Sequence, residues 1–202
     1  MTDDPSGYDS GVETLNLADF QLPQGKKGFE ANQLIAFAPK IGDLNGKLLV
    51  LDLDVVIVDS IDPFFEYPGD FCIIHDWLRP NRITGNSSVV RIEVGKWTQP
   101  LDNWLDNREE WNAKHRTEQE YVSHQAELAG KLTYWPKEWC VSFKRNCLPK
   151  GPMSFIKTPE IPEGARIVVF HGHPKPDEAR DGIRTSAFRG MKPTPWIGVH
   201  WK

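Results

Sequence analysis

One stretch constrains this chain more than any other. LLVLDLDVVIVD, residues 48–59, sets two aspartates, Asp52 and Asp54, between two of its most apolar runs. A carboxylate beside a buried strand is costly unless it is paired or holds a cation. The flanking runs are short and β-branched, so residues 47–51 and 55–58 read as strands. Residues two apart on a strand share a face, which lets Asp52 and Asp54 converge on one ligand. All-oxygen ligation of this kind suits Mg²⁺ or Mn²⁺, with water and substrate phosphates completing the shell.

The rest of the chain supplies a frame for that pair. Residues 71–75 (FCIIH), 87–92 (SSVVRI), 139–143 and 166–170 (RIVVF) read as further buried strands. Helices are expected over 29–37, 101–114 and 117–128, the last with Thr117 as N-cap. Trp97, Trp104 and Trp111 recur every seven residues and mark a core face on the middle helix. Short buried strands alternating with helices give an α/β domain with a mixed, mostly parallel sheet flanked by helices. Ligands in such sheets sit at the carboxyl ends of the strands. The sequence reads as one domain over 1–202, with an irregular lead-in at 1–30 and an irregular Pro- and Gly-rich tail at 178–202.

Composition excludes several classes. The formal net charge is -4, which argues against a nucleic-acid partner. Three cysteines, Cys72, Cys140 and Cys147, stand without CxxC spacing, so free buried thiols are expected in place of a disulfide frame or a zinc site. No apolar run reaches the roughly 20 residues that span a bilayer. The acidic start MTDDPSGYDSG is unlike a signal peptide, and a cytoplasmic protein is the expectation.

Two enzyme classes use a string like LVLDLDVVIVDS. It resembles the hhhDxDGxxxDS opening of haloacid-dehalogenase-like phosphatases, in which Asp52 would be the nucleophile and Asp54 a general acid/base. Against that, Val55 stands where a Gly turns the chain, the motif lies well inside the sequence, and no GDxxxD-like segment follows. The chain also resembles nucleotide-sugar glycosyltransferases of the GT-A fold, most closely the glycogenin- and galactosyltransferase-like family (glycosyltransferase family eight). Four segments carry that resemblance in order: LLVLDLDVVIVDSIDPFFEYP, TGNSSVVRIEVGKW, RTEQEYV and VVFHGHPKPDE.

The resemblance implies a metal-dependent, retaining transfer of a hexose from a nucleoside diphosphate sugar to a glycan, lipid or protein acceptor. It implies Asp52 and Asp54 as ligands of Mn²⁺ or Mg²⁺, a Lewis acid for the departing diphosphate. Asn86 and Ser87 match an Asn-Ser pair beside the donor sugar, with Ser88 in place of the usual Gly; an Asn-Ser turn opening a strand is the plainer reading of the same residues. Glu118 and Gln119 match an Asp-Gln pair at a helix start with a catalytic role, where a solvated Glu favoured by the helix dipole would also do. Gly172 allows close backbone approach and Lys175 offers a compact charge to the diphosphate. The family's metal-binding His stands where this chain has Val169, and His171, two residues on, is expected to substitute as the third ligand. His173 has the weaker claim. Asp76, Arg79 and Arg82 follow a strand end and read as a surface ion-pair group.

The family begins with a strand and helix that grip the nucleotide base, and these are missing here, so an N-terminally truncated GT-A domain is expected. A non-catalytic remnant that binds metal or sugar is the competing reading. An exposed sheet edge would favour self-association.

Overall fold

The structure, a computed structural model, describes residues 6, 11–186 and 189–201. In chain order its elements are β1 (Lys47–Leu51), β2 (Val55–Ile57), α1 (Asp62–Glu66), β3 (Phe71–His75), β4 (Gly85–Glu93), α2 (Gln99–Asp106), α3 (Arg108–Lys114), α4 (Glu118–Leu128), β5 (Leu132–Tyr134), β6 (Cys140–Ser142), β7 (Ile167–Val169), α5 (Pro176–Asp181), β8 (Ile183–Ser186), β9 (Arg189–Met191) and α6 (Pro195–His200). The chain divides into two compact units, residues 1–48 with 92–132, and residues 49–91 with 133–202.

The first unit is helical and aromatic. Trp104 is fully buried and stacks on Phe29 with ring centroids 5.8 Å apart. Trp97 meets Phe37 edge-on at 5.4 Å, so the seven-residue Trp spacing does mark a core. The segment 29–37 forms a 3-10 helix over Ala31–Phe37. The helix expected over 101–114 is instead two, broken where Asn107 leaves helical geometry at φ -134°, ψ 41°. Helix α4 starts as expected, with the Thr117 side chain accepting from the Glu120 N–H.

The second unit holds the sheets. Four strands lie in the order β1-β4-β3-β5 and three in the order β2-β7-β6. Pairing is mixed: β3–β4 and β2–β7 run antiparallel, β6–β7 parallel. A buried cation ties this unit together. Arg91, 1% exposed, donates to the carbonyls of Phe64, Tyr67 and Gly69 and sits 5.7 Å over the Trp135 ring. Cys72, Cys140 and Cys147 are free and buried, as expected.

The tail is ordered where irregularity was expected. Residues 178–202 carry most of α5, the β8–β9 hairpin and α6. Prolines open both helices, at Pro176 and Pro195, a position where the missing N–H costs nothing and the fixed φ helps. Among the described residues, no helix is long and apolar enough to cross a membrane.

Candidate functional site

Asp52 and Asp54 occupy the crossover between the two sheets. β1 ends in one and β2 begins in the other, and each aspartate is pinned on its own side. The Asp52 N–H donates to the Ser88 carbonyl at 3.0 Å, and the Phe170 N–H donates to the Asp54 carbonyl at 3.0 Å. Leu53 between them is 93% exposed. The register of β3 against β4 jumps between Ile73, opposite Val90, and Ile74, opposite Asn86. This irregularity frees residues 87–89 from β3, as bulges do beside functional sites, and lets Ser88 turn its hydroxyl onto the Asp52 carboxylate. Burial pushes the Asp52 carboxyl above its usual range; the Ser88 hydrogen bond opposes that, the Asp54 charge adds to it, and Lys175 opposes it.

Lys175 reaches this crossover from the start of α5. Its Nζ stands 2.5 Å from Asp54 Oδ2, and that bond pushes the ammonium's pKa up. The loop that carries Lys175 is closed by Glu178, whose carboxylate accepts from the Lys175 N–H at 2.7 Å and lies 2.9 Å from His173 Nδ1. His173 is exposed and serves this loop closure. Asp52, Leu53, Asp54, Lys175, Pro176, Asp177 and Trp201 line an open cleft of about 480 Å³.

His171 lies just past β7. Its Nε2 is 2.7 Å from the hydroxyl of the buried Ser142, and its ring stacks on Trp77 with centroids 5.9 Å apart. Burial pushes the imidazole below its ordinary value, and Lys144 and Arg145 push it further down against the opposing charges of Asp76 and Asp54. These two cations escaped the sequence reading. They sit on a single π-helical turn, Phe143–Cys147, directly after β6, whose start is fixed by Asn146 Oδ1 accepting from the Ser142 N–H at 2.9 Å. π-turns cluster at functional sites. Gly172, at φ 68°, has no Cβ where one would stand 3.4 Å from Lys144 Nζ.

Beyond Trp77 a second cavity of about 430 Å³ is lined by Ile74, His75, Asp76, Trp135, Lys137 and Arg145 among others. Asp76 is 3% exposed. One of its oxygens accepts from the Leu78 N–H at 2.8 Å; the expected surface ion-pair group is therefore a buried carboxylate facing a cavity.

The other expected residues stand as follows. Asn86 spends its side-chain oxygen locally, accepting from the Ser88 N–H at 3.2 Å, and Ser87 lies beside it on β4. Glu118 and Gln119 open α4 in the helical unit. Glu118 is 6% exposed and accepts from the Glu30 N–H at 3.4 Å; the Gln119 carbonyl accepts from the Ser123 hydroxyl at 2.6 Å.

A divalent cation finds an incomplete donor set here. Asp52 and Asp54 are close in sequence and place, but Lys175 occupies one Asp54 oxygen, His171 is engaged with Ser142, and Val169 is buried in β7 opposite Val55. Among the described residues, no three His, Cys, Asp or Glu side chains gather around one point. The residues present do not fit a three-ligand Mn²⁺ or Mg²⁺ site.

No family model and no curated protein matches the sequence. Among solved structures, the chain is similar to the galactosyltransferase LgtC in complex with donor and acceptor sugar analogs, at TM-score 0.51 and 17% identity, covering 80% of this chain and 66% of that one. An active-site mutant of LgtC gives TM-score 0.50 at 17% identity with the same shares. The chain therefore spans 66% of the length of that galactosyltransferase. The likeness shows the fold: a mixed α/β arrangement of sheets flanked by helices, as in GT-A glycosyltransferases.

Proposed function

We propose that this chain is the sugar-transferring domain of a glycosyltransferase, taking a hexose from a nucleoside diphosphate sugar and placing it on an acceptor hydroxyl with retention. The observation that supports this most is the Asp54–Lys175 pair, with Asp52 and Ser88 beside it, at the crossover of a fold shared with a galactosyltransferase. In the transfer, the bond from the anomeric carbon to the β-phosphate oxygen breaks and a bond to the acceptor oxygen forms. The acceptor's proton passes to the departing diphosphate. Charge grows on that leaving group, so fixed positive charge at its position lowers the barrier. Lys175 is that charge, and Asp54 keeps it protonated and aimed. Asp52 and Ser88 offer an acceptor and a donor to sugar hydroxyls.

The acceptor belongs in the Trp77–Asp76 cavity. An indole face stacks on a sugar ring, and a buried carboxylate with an oxygen to spare accepts its hydroxyls. His171 stands between this cavity and the cleft, stacked on Trp77 and within electrostatic reach of Asp54.

The test is release of nucleoside diphosphate from a panel of UDP- and GDP-hexoses, with mono- and disaccharides as acceptors. Release stimulated by one acceptor, with the stimulation lost in Asp76→Asn while donor binding stays, is the expected outcome. Turnover of a chromogenic phosphate ester that disappears in Asp52→Asn would contradict the reading and favour a phosphatase.

A further inference from the structure

Among the described residues, no third metal ligand joins the carboxylates of the crossover, yet the same region is rich in fixed positive charge. Lys175 lies on Asp54 at 2.5 Å. Lys144 points its ammonium at Gly172, close enough that a Cβ there would stand 3.4 Å from Nζ. Arg145 follows it on the same turn. Lys144 and Arg145 make no ion pair among the described residues. Both lie near enough to His171 to lower its affinity for a proton.

Their placement is not left to flexible side chains alone. β6 and β7 run parallel with Ser142 opposite Val169, so the π-turn after β6 and the Gly172–Lys175 loop after β7 leave the sheet side by side. The Ser142–His171 contact at 2.7 Å and the Asn146 bond to the Ser142 N–H brace the two exits against each other. Gly172, at φ 68°, puts no side chain between its backbone and the Lys144 ammonium. Three cations on two braced turns, around a residue without a side chain, form a seat for a multiply charged anion, because positive charge and open backbone are what phosphate groups require.

We propose that Lys144 and Lys175, with Arg145 reaching in from the edge of the Trp77–Asp76 cavity that it also lines, seat the diphosphate of the donor, and that the chain binds its nucleoside diphosphate without a divalent cation. This rests on the glycosyltransferase reading and differs from the expected metal chemistry: side-chain cations do the neutralising assigned above to Mn²⁺ or Mg²⁺. Asp54 then orients Lys175 and is not a metal ligand. Lys144 and Arg145 are the residues that nothing in the motif resemblance assigned.

The experiment is calorimetric titration of UDP, GDP and inorganic pyrophosphate, in EDTA and in Mn²⁺, on the wild-type chain and on Lys144→Gln and Lys175→Gln. Electron paramagnetic resonance of Mn²⁺ with protein and nucleotide reports any metal held at the site. Expected is the same affinity in EDTA as in Mn²⁺, with each variant weakened about tenfold, the value of one lost charged hydrogen bond. Circular dichroism confirms that the variants are folded. Binding that needs Mn²⁺, or full affinity in Lys144→Gln, overturns the proposal and leaves the glycosyltransferase reading standing. Absence of binding for every nucleotide in both conditions overturns both.

Discussion

Both units pack aromatic rings against one another, but they place their polar groups differently. In the helical unit, aromatic rings meet one another: Phe29 on Trp104, Phe37 on Trp97, and Trp111, His115 and Tyr121 in mutual contact. His115 is half-buried within that cluster and also meets the ring of His124. In the sheet unit, buried polar groups border cavities: Asp52 beside the cleft, Asp76 beside Trp77, and Ser142 holding His171. A core needs apolar contact; a binding site needs polar groups whose hydrogen bonds are left for a ligand. On the proposed reading, the chemistry belongs to the sheet unit.

The largest effects should come from breaking what holds each unit. Trp104→Ala should cost about 3–5 kcal/mol, as deletion of a buried aromatic does, and denaturant unfolding reads it. Arg91→Met should cost about 3 kcal/mol through the buried carbonyls of Phe64, Tyr67 and Gly69 that it orphans. A small loss there would mean that the sheet unit is held mainly by apolar packing.

Next is a change that should move binding and spare stability. Lys175→Gln should weaken nucleotide binding about tenfold. Its ion pair with Asp54 is half-exposed, so the unfolding free energy should change by about 1 kcal/mol or less. The converse change is Asp52→Asn. Burial raises the Asp52 carboxyl, so its ionisation opposes folding at neutral pH. The amide should unfold at the same or higher temperature while the sugar-bearing donor binds less well.

Acid should act on the helical unit through His115. Burial pushes its pKa below the ordinary 6.5, and the His124 charge pushes it the same way. A His with a depressed folded value binds fewer protons folded than unfolded. Its stability is therefore full above 6.5 and is lost as pH falls through the folded value. His115→Phe should flatten the stability profile below pH 6.5, measured by thermal melts across that range. Smallest is Leu53→Ser: at 93% exposure it should alter stability by less than about 0.5 kcal/mol.

Much of this fold was legible where the signal is local. The apolar runs of β1 and β3 and the Thr117 cap of α4 read directly from residue type and spacing. The break at Asn107 did not, because the apolar period continues across it. The tail was misread as irregular because proline suggests disruption, whereas Pro176 and Pro195 open helices. At the site, Asp52, Asp54 and Lys175 were visible as a motif and line one cleft, while Gly172 faces Lys144. Ser88, Lys144 and Arg145 were not, for physical reasons. Ser88 reaches Asp52 through a register shift, and Lys144 reaches Gly172, and Arg145 the neighbourhood of His171, because β6 pairs with β7 across 24 intervening residues. The string around Asp52 also suits a phosphatase, and the likeness to a glycosyltransferase bears on the fold, not on the reaction.

The central claim is that the cleft beside Asp54 and Lys175 holds a nucleoside diphosphate sugar. Calorimetry of UDP- and GDP-hexoses against the wild-type chain and Lys175→Gln tests it most directly. Saturable binding of one donor, weakened about tenfold in Lys175→Gln, is expected. Binding of no donor, or binding of equal strength in Lys175→Gln, would contradict it.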